Sequence, residues 1–160
     1  MEQAIFGAGC FWGVQYYFDQ VPGVIKTTVG YSGGTLENPT YEDVCSHTTG
    51  HAEVVLVEFD TSKVTYPQLL KHFFRLHDPT QLNRQGPDIG DNYRSVIFYV
   101  TDAQRADAES AVEAAQAQYK NPIVTRIEPA GPFYEAEDYH QKFAERTGRG
   151  MCHVPYQPVD

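Results

Sequence analysis

The sequence predicts an α+β protein in which helices pack on a mixed sheet, as a two-layer α/β sandwich. Strand-like and helix-like runs follow one another in the order β-α-β-β-α-β-α-β-α. Two long irregular stretches, 31–50 and 78–94, interrupt this order, and compact domains seldom carry such loops without a functional reason. We therefore expect a ferredoxin-like core whose long irregular loops build a site.

The elements follow from apolar runs and the turn residues that bound them. Predicted strands, rich in β-branched and aromatic residues, span Gln3–Gly7, Val24–Gly30, Ala52–Phe59, Ser95–Thr101 and Ile123–Pro129. Predicted helices span Phe11–Gln20, Tyr66–His77, Asp102–Tyr119 and Ala136–Thr147. The turn Val21-Pro22-Gly23 ends the first helix. Thr101 can cap the long helix with Gln104 as its capping-box partner, and Asn121-Pro122 stops that helix.

Length and charge restrict the class of protein. The 160 residues predict one catalytic domain, 1–160, with a flexible C-terminal tail from about residue 148 that carries Cys152. The formal net charge is −9 and no basic run is present, which argues against a nucleic-acid partner. No apolar stretch approaches the roughly 20 residues that span a bilayer, so we expect no membrane partner. The first residues lack the features of a leader, and we expect a mature cytoplasmic monomer.

Cys10 is the first candidate for chemistry. It lies between a strand-like run and a helix-like run, where the helix N-terminus would favour the thiolate. Phe11 and Trp12 follow it and suggest an apolar pocket beside the thiol. A buried, inert thiol is the alternative. Cys152 lies in a glycine-rich tail suited to a resolving cysteine or to an incidental surface thiol, whereas nothing marks Cys45 as more than a spectator.

Polar side chains that could assist Cys10 are spread along the chain. Glu53 opens an apolar strand, where burial would raise the pKa of its carboxyl and allow it to donate a proton, although without further context the pattern favours an exposed strand-end charge. Tyr41 and Tyr93, in the two long loops, are neutral donors or aromatic anchors. Asp88 could orient one of these groups or simply form a turn.

Two other kinds of site fit the composition less well. Cys45, His47 and His51 could be read as metal ligands, but their spacing matches no familiar zinc pattern, and we expect no metal or organic cofactor. Cys10 could form a hydrolase pair with His51, His77 or His140, but no oxyanion-hole signature accompanies them. A non-catalytic module that binds peptides in a pocket formed by Phe11 and Trp12 is a further alternative.

Long motifs nevertheless resemble one family over essentially the whole chain, the peptide methionine sulfoxide reductase A (MsrA) family. They are GCFWG at Gly9–Gly13, GYSGG at Gly30–Gly34, NPTYEDVCSHTTGHAEVV at Asn38–Val55, HDPTQLNRQGPDIGDNYRS at His77–Ser95, FYEAEDYHQKF at Phe133–Phe143 and CH at Cys152–His153. His47 and Asn92 stand where glycine and glutamine are often expected.

The resemblance implies an oxidoreductase that reduces the S-epimer of methionine sulfoxide, free or in oxidised proteins. By position, Cys10 is the nucleophile, Glu53 the acid, and Tyr41 and Tyr93 donors to the sulfoxide oxygen, with Asp88 in support. Phe11 and Trp12 line the pocket for the S-methyl group. Cys152 corresponds to a resolving cysteine, so the resemblance implies a Cys10 sulfenic acid, then a Cys10–Cys152 disulfide that thioredoxin reduces.

Overall fold

The computed structural model describes residues 2–149, 156 and 159. Its strands are β1 (Glu2–Ala8), β2 (Val24–Ser32), β3 (Ala52–Phe59), β4 (Arg84–Gln85), β5 (Asp88–Ile89), β6 (Ser95–Tyr99), β7 (Arg126–Pro129) and β8 (Phe133–Glu135). Its helices are α1 (Phe11–Asp19), α2 (Tyr41–Cys45), α3 (Tyr66–Leu76), α4 (Asp102–Gln116) and α5 (Phe143–Thr147). Short 3-10 turns occur at Asp91–Tyr93 and Asp138–His140.

A six-stranded sheet in the order β7-β6-β1-β3-β2-β8 forms the scaffold. Its pairs are antiparallel except for β6 with β7, which are parallel, so the sheet is mixed as predicted. Four strands follow the connectivity β1-α1-β2-β3-α3-β6 and lie in the order β6-β1-β3-β2, which is the ferredoxin-like arrangement. The predicted fold class is confirmed.

The main core lies between this sheet and helices α1 and α3. Phe6, which is fully buried on β1, stacks on Phe18 of α1 at 5.4 Å between ring centroids and on Phe73 of α3 at 5.2 Å. A smaller apolar cluster, centred on Val54, Val96 and Phe98, covers the other face. Burial of aromatic rings on this scale fixes how the helices sit on the sheet.

The predicted helix over Ala136–Thr147 is wrong in extent. The chain forms a 3-10 turn, breaks, and resumes as the short helix α5. Lys142 lies between them with φ +58°, a left-handed conformation that a continuous helix excludes. The side chain of Gln141 is committed instead to the backbone N–H and C=O of Val29 on β2.

Some stretches predicted as irregular contain short elements, and some predicted elements are shorter in the structure. Strand β8 lies within 131–135, helix α2 within 31–50 and the hairpin β4–β5 within 78–94. Helix α4 is capped by Thr101 as predicted, but the Gln104 side chain accepts from Val100 N–H, and the helix ends at Gln116 rather than Tyr119. Strand β7 begins at Arg126 because Gln116 and Pro79 take the N–H groups of Ile123 and Val124.

The directions of the strands bring the loops that carry the candidate site residues together at one end of the strands. Because β1 is antiparallel to both β3 and β6, its C-terminal end lies beside the beginnings of those two strands. The C-terminal end of β2 lies beside the beginning of β3 for the same reason. Segments far apart in sequence therefore meet there. Among the described residues, no helix has the length and apolar character required to cross a membrane.

Candidate active site

Cys10 lies where β1 gives way to α1, as the N-cap residue of that helix. The half-buried thiol is approached by the N–H groups of Trp12 and Gly13, which favour the thiolate. Burial outweighs them, however, and together with the negative charge of Glu53 it raises the pKa of Cys10 to about 12. The helix terminus thus acts in the expected direction, but burial has the larger effect on the pKa, and the Cys10 thiol is protonated at neutral pH.

Glu53 is the second residue of β3 and is only 1% exposed. One carboxyl oxygen accepts the Phe11 N–H at 3.2 Å and the other accepts an N–H from the Asn92 side chain at 3.3 Å. Burial outweighs these two hydrogen bonds and raises the pKa of Glu53 to about 8. At neutral pH the carboxyl is consequently protonated next to the segment that carries Cys10.

The hydrogen bond between Asn92 and Glu53 is not predicted by the sequence analysis, which marks Asn92 only as a departure from the expected glutamine. The residue is fully buried in the 3-10 turn before β6; its Nδ2 reaches Glu53, while its Oδ1 has no partner among the described residues. An amide beside an acid in a buried setting influences which protonation state is preferred.

Tyr41 and Tyr93 reach the site from the two long loops. Burial, and then the charge of Glu53, raise the pKa of both phenols well above the usual value. Both hydroxyls therefore remain protonated at neutral pH and can donate hydrogen bonds. Cys45 lies one helical turn after Tyr41 on α2, and its thiol interacts with the Tyr41 hydroxyl, so Cys45 belongs to the surroundings of the site.

Asp88 lies on the hairpin β4–β5 and acts on the site through its charge, which raises the pKa of both Cys10 and Glu53. The hairpin packs directly on the loop that carries Cys10. Gly9 has φ +96°, and a Cβ there would lie 2.8 Å from the Cβ of Gln85. The absence of a side chain at Gly9 thus permits this close approach.

Aromatic rings form one wall of the site. Phe11, 1% exposed, packs on Tyr31 and on His140 at centroid distances of 5.7 and 5.2 Å. Trp12 stacks on Phe143 at 3.9 Å and donates its indole N–H to Nδ1 of His140 at 2.9 Å. His140 and Phe143 thus contact the two predicted pocket residues; the sequence analysis assigns Phe143 no role and considers His140 only as a hydrolase partner of Cys10.

The three histidines considered as hydrolase partners all form hydrogen bonds with groups other than Cys10. His51 accepts from Gly34 N–H and bonds the Leu36 carbonyl, while His77 bonds the Phe73 carbonyl and the Ser95 hydroxyl. His140 receives the Trp12 indole N–H. Within the described part of the chain, no group of three His, Cys, Asp or Glu side chains could hold a metal ion. The predicted resolving residue, Cys152, lies outside the described residues.

Comparison with known proteins identifies relatives over nearly the full length. The family model for peptide methionine sulfoxide reductase matches residues 2–160. The peptide methionine sulfoxide reductase MsrA of Methanothermobacter thermautotrophicus is 56% identical over 158 residues, which covers 96% of this chain and 92% of that protein. The MsrA of Geobacter sulfurreducens is 57% identical over 154 residues, with 95% of each chain covered.

Solved structures agree with these relatives. Reduced Mxr1 from Saccharomyces cerevisiae superposes with a TM-score of 0.89 at 34% identity, covering 99% of this chain and 92% of Mxr1. Methionine sulfoxide reductase A of Corynebacterium diphtheriae gives a TM-score of 0.84 at 37% identity, with 95% and 77% covered. Mxr1 in complex with Trx2 gives 0.67 at 27% identity, with 98% and 90% covered. With its buried acid, cysteine and aromatic wall, this chain belongs to the peptide methionine sulfoxide reductase family and is an oxidoreductase of the MsrA type.

Proposed function

We propose that the chain reduces the S-epimer of methionine sulfoxide, free or in oxidised proteins, with Cys10 as nucleophile and Glu53 as acid. The observation that carries this proposal is the pairing of a buried, protonated carboxyl with a cysteine at the N-terminus of α1. An oxide is a very poor leaving group, so the sulfoxide oxygen must be protonated as its bond to sulfur weakens. Glu53, which is 1% exposed and protonated at neutral pH, can supply that proton.

In the first half-reaction, Cys10 sulfur attacks the sulfoxide sulfur beside Phe11 and Trp12. The oxygen receives its proton from Glu53, with Tyr41 and Tyr93 donating hydrogen bonds to it. The attack forms a bond between the two sulfurs, and the protonated oxygen leaves the substrate sulfur. Its addition to the Cys10 sulfur breaks the bond between the two sulfurs, so that Cys10 becomes a sulfenic acid and the substrate leaves as the thioether of methionine. The thiol proton of Cys10 restores the Glu53 carboxyl, so the step balances without an external proton. The charge of Asp88 helps keep the proton on Glu53 until the oxygen is in place.

In the second half-reaction, the Cys152 thiol condenses with the Cys10 sulfenic acid, releasing water and forming a disulfide. A thioredoxin dithiol then reduces this disulfide by exchange. The structure of the similar protein Mxr1 in complex with Trx2 supports a reductant of this class. No metal or organic cofactor takes part in either half-reaction.

The first test replaces Cys10 and compares it with the other described cysteine. Cys10→Ser should abolish methionine release from methionine-S-sulfoxide, because a hydroxyl cannot form the sulfenic acid. Cys45→Ser is the matched control and should retain most of the activity. Undiminished turnover by Cys10→Ser would overturn the assignment of the nucleophile.

The second test follows the fate of the oxidised cysteine. Cys152→Ser should release one equivalent of methionine per enzyme and then stall with thioredoxin as reductant. Mass spectrometry of the parent enzyme after one turnover without reductant should show Cys10 joined to Cys152. Full thioredoxin-coupled cycling by Cys152→Ser would instead assign resolution to another group.

The stoichiometry of the reaction separates this proposal from a binding module and from a cysteine hydrolase. A reductase consumes two thiols for each methionine released. A binding module releases no methionine, and a hydrolase cleaves an ester or amide without consuming thiols. Counting thiols with a disulfide reagent while quantifying methionine decides among the three.

A further inference from the structure

The site contains a carboxylate, Glu137, that the proposed chemistry does not use. It precedes the 3-10 turn Asp138–His140 and is partly buried. One of its oxygens accepts the Tyr31 hydroxyl at 3.1 Å, and the other accepts the backbone N–H of Tyr41 at 3.1 Å. A single side chain thus joins strand β2, the first residue of helix α2 and the turn that carries His140.

Helix α2 depends on such external support. It has five residues, far fewer than the roughly 12–15 at which an isolated helix becomes marginally stable. The capping box between Thr40 and Asp43 satisfies the N–H groups of those two residues. The N–H of Tyr41 would remain without a helical partner, and Glu137 accepts it.

The backbone on either side of Glu137 is hydrogen-bonded to strand β2, so the Glu137 carboxylate can fix the position of Tyr41. The N–H of the preceding residue, Ala136, bonds the Val29 carbonyl at 2.9 Å, and the Gln141 side chain binds both the N–H and C=O of Val29. Tyr31, the other group bound by Glu137, is fully buried and pairs with Glu53 across the sheet. Glu137 thereby fixes the position of the Tyr41 backbone relative to strands β2 and β3, and β3 carries Glu53.

The charge state of Glu137 suits this role. Burial disfavours its ionised form, but the hydrogen bonds from Tyr41, its own backbone N–H and Tyr31 outweigh burial and hold the pKa of Glu137 below its usual value. At neutral pH Glu137 is therefore a carboxylate, which can only accept hydrogen bonds, while both neighbouring groups donate. The His140 ring, on the turn that follows, packs on the Tyr41 ring at a centroid distance of 4.5 Å.

We propose that Glu137 is a positioning residue that sets the Tyr41 hydroxyl at the reacting sulfoxide by clamping the first residue of α2 to Tyr31 on β2. This inference rests on the proposed function, because it assigns Glu137 an effect through the role of Tyr41. It goes beyond that function by adding a residue that touches neither the substrate nor the reacting sulfur. Removal of the clamp should slow the chemical step more than it weakens binding.

A double-mutant cycle with Tyr41 tests the proposal. Glu137→Gln should lower the single-turnover rate constant for methionine release by about tenfold in the parent chain, with little change in the substrate concentration for half-saturation. In a Tyr41→Phe background, the same substitution should change the rate constant by less than about twofold, because the hydroxyl it positions is gone. Equal losses in both backgrounds would show a general structural effect and overturn the inference.

Two further variants separate positioning from folding. Glu137→Asp keeps the charge and should recover part of the rate if its shorter carboxylate still reaches the Tyr41 N–H. Glu135→Gln removes an exposed carboxylate two residues earlier and should leave the rate unchanged. If Glu135→Gln lowered the rate constant as much as Glu137→Gln, the effect would come from the change in net charge, and the positioning role of Glu137 would be refuted. Failure of the parent chain to release methionine would instead refute the proposed function.

Discussion

At the scale of single residues, burial determines where the proton of the proposed reaction resides before substrate binds. Glu53 and Cys10 both hold protons at neutral pH, since burial is the largest cause of the raised pKa of each. The negative charge of Glu53 is the second cause of the high pKa of Cys10. Transfer of the Glu53 proton to a sulfoxide oxygen and ionisation of the thiol are therefore coupled events.

The pH dependence of the chemical step follows from Glu53. Its pKa of about 8 means that the fraction able to donate a proton falls as the pH rises through that value. We expect the single-turnover rate of methionine release to decline above about pH 8. In Glu53→Gln this decline should vanish and the rate should be lower throughout, because an amide is not an acid. A decline of equal shape in Glu53→Gln would assign the titration to another group.

Asn92 should tune that pH dependence. Its N–H bond to Glu53 favours the carboxylate and lowers the pKa of that carboxyl, against the larger opposing effect of burial. Asn92→Leu keeps a similar volume without the donor, so the alkaline decline in rate should move to higher pH. Asn92→Gln retains an amide and should return the decline toward its original position. A shift to lower pH in Asn92→Leu would contradict the assigned direction.

At the scale of elements, the loops meet the strands through close backbone contacts. Gly9 illustrates this, because its positive φ and its approach to Gln85 both exclude a side chain. Gly9→Ala should cost about 1–2 kcal/mol for the backbone conformation alone, plus the displacement of the hairpin that carries Asp88. We expect a lower midpoint in thermal unfolding and slower methionine release.

Gly86→Ala provides the matched control. Gly86 also has a positive φ, +58°, but a Cβ there would meet nothing within 4 Å. Gly86→Ala should lower the free energy of unfolding by the same backbone contribution, but it should not displace the hairpin from the loop that carries Cys10. If both substitutions reduced the rate of methionine release equally, the contact between Gly9 and Gln85 would have no role in shaping the site.

The elements also show how far the sequence determines the fold. Strand β3 has the predicted bounds, Ala52–Phe59, because an uninterrupted apolar run favours one buried strand. The break at Lys142 could not be read locally, since it depends on the bond of the Gln141 side chain to Val29, more than a hundred residues away in sequence. Helix α2 was missed because it is stabilised by its cap and by Glu137 rather than by helical periodicity.

The same distinction applies to the site. Cys10, Phe11 and Trp12 could be singled out because they are adjacent in sequence. Glu53 and the two tyrosines were candidates with structural alternatives, and motif resemblance assigned them roles. The contacts of Asn92 with Glu53 and of His140 with Trp12 join residues 39 and 128 positions apart. Both residues lie in motifs that resemble the family, but the motifs do not show which side chains they contact.

At the scale of the whole molecule, opposing titrations should set a pH of maximum stability. Burial lowers the pKa of His72 and His77 to about 4, so the unfolded chain binds more protons than the fold below about pH 6.5, and acid destabilises the fold. The raised pKa of Glu53 has the opposite sign, because the fold retains a proton that the unfolded chain loses between about pH 4.5 and 8. The two effects favour greatest stability near pH 6.5.

Thermal unfolding across this range tests the balance. The midpoint should rise from pH 4 toward 6.5 and then fall toward pH 8. Glu53→Gln should flatten the fall on the alkaline side and steepen the rise between about pH 4.5 and 6.5, because the Glu53 titration opposes the histidine titrations in that part of the range. An alkaline fall of undiminished slope in Glu53→Gln would mean that groups other than Glu53 dominate that limb.

The position of Trp12 has an optical consequence. It is the only tryptophan in the chain, and its indole is stacked on Phe143 and hydrogen-bonded to His140 at the wall of the site. The intrinsic tryptophan emission of the protein therefore arises at the place where methyl sulfoxides are proposed to bind. Stopped-flow fluorescence can record the arrival of substrate and the oxidation of Cys10 in the unlabelled enzyme, without any background from other indoles.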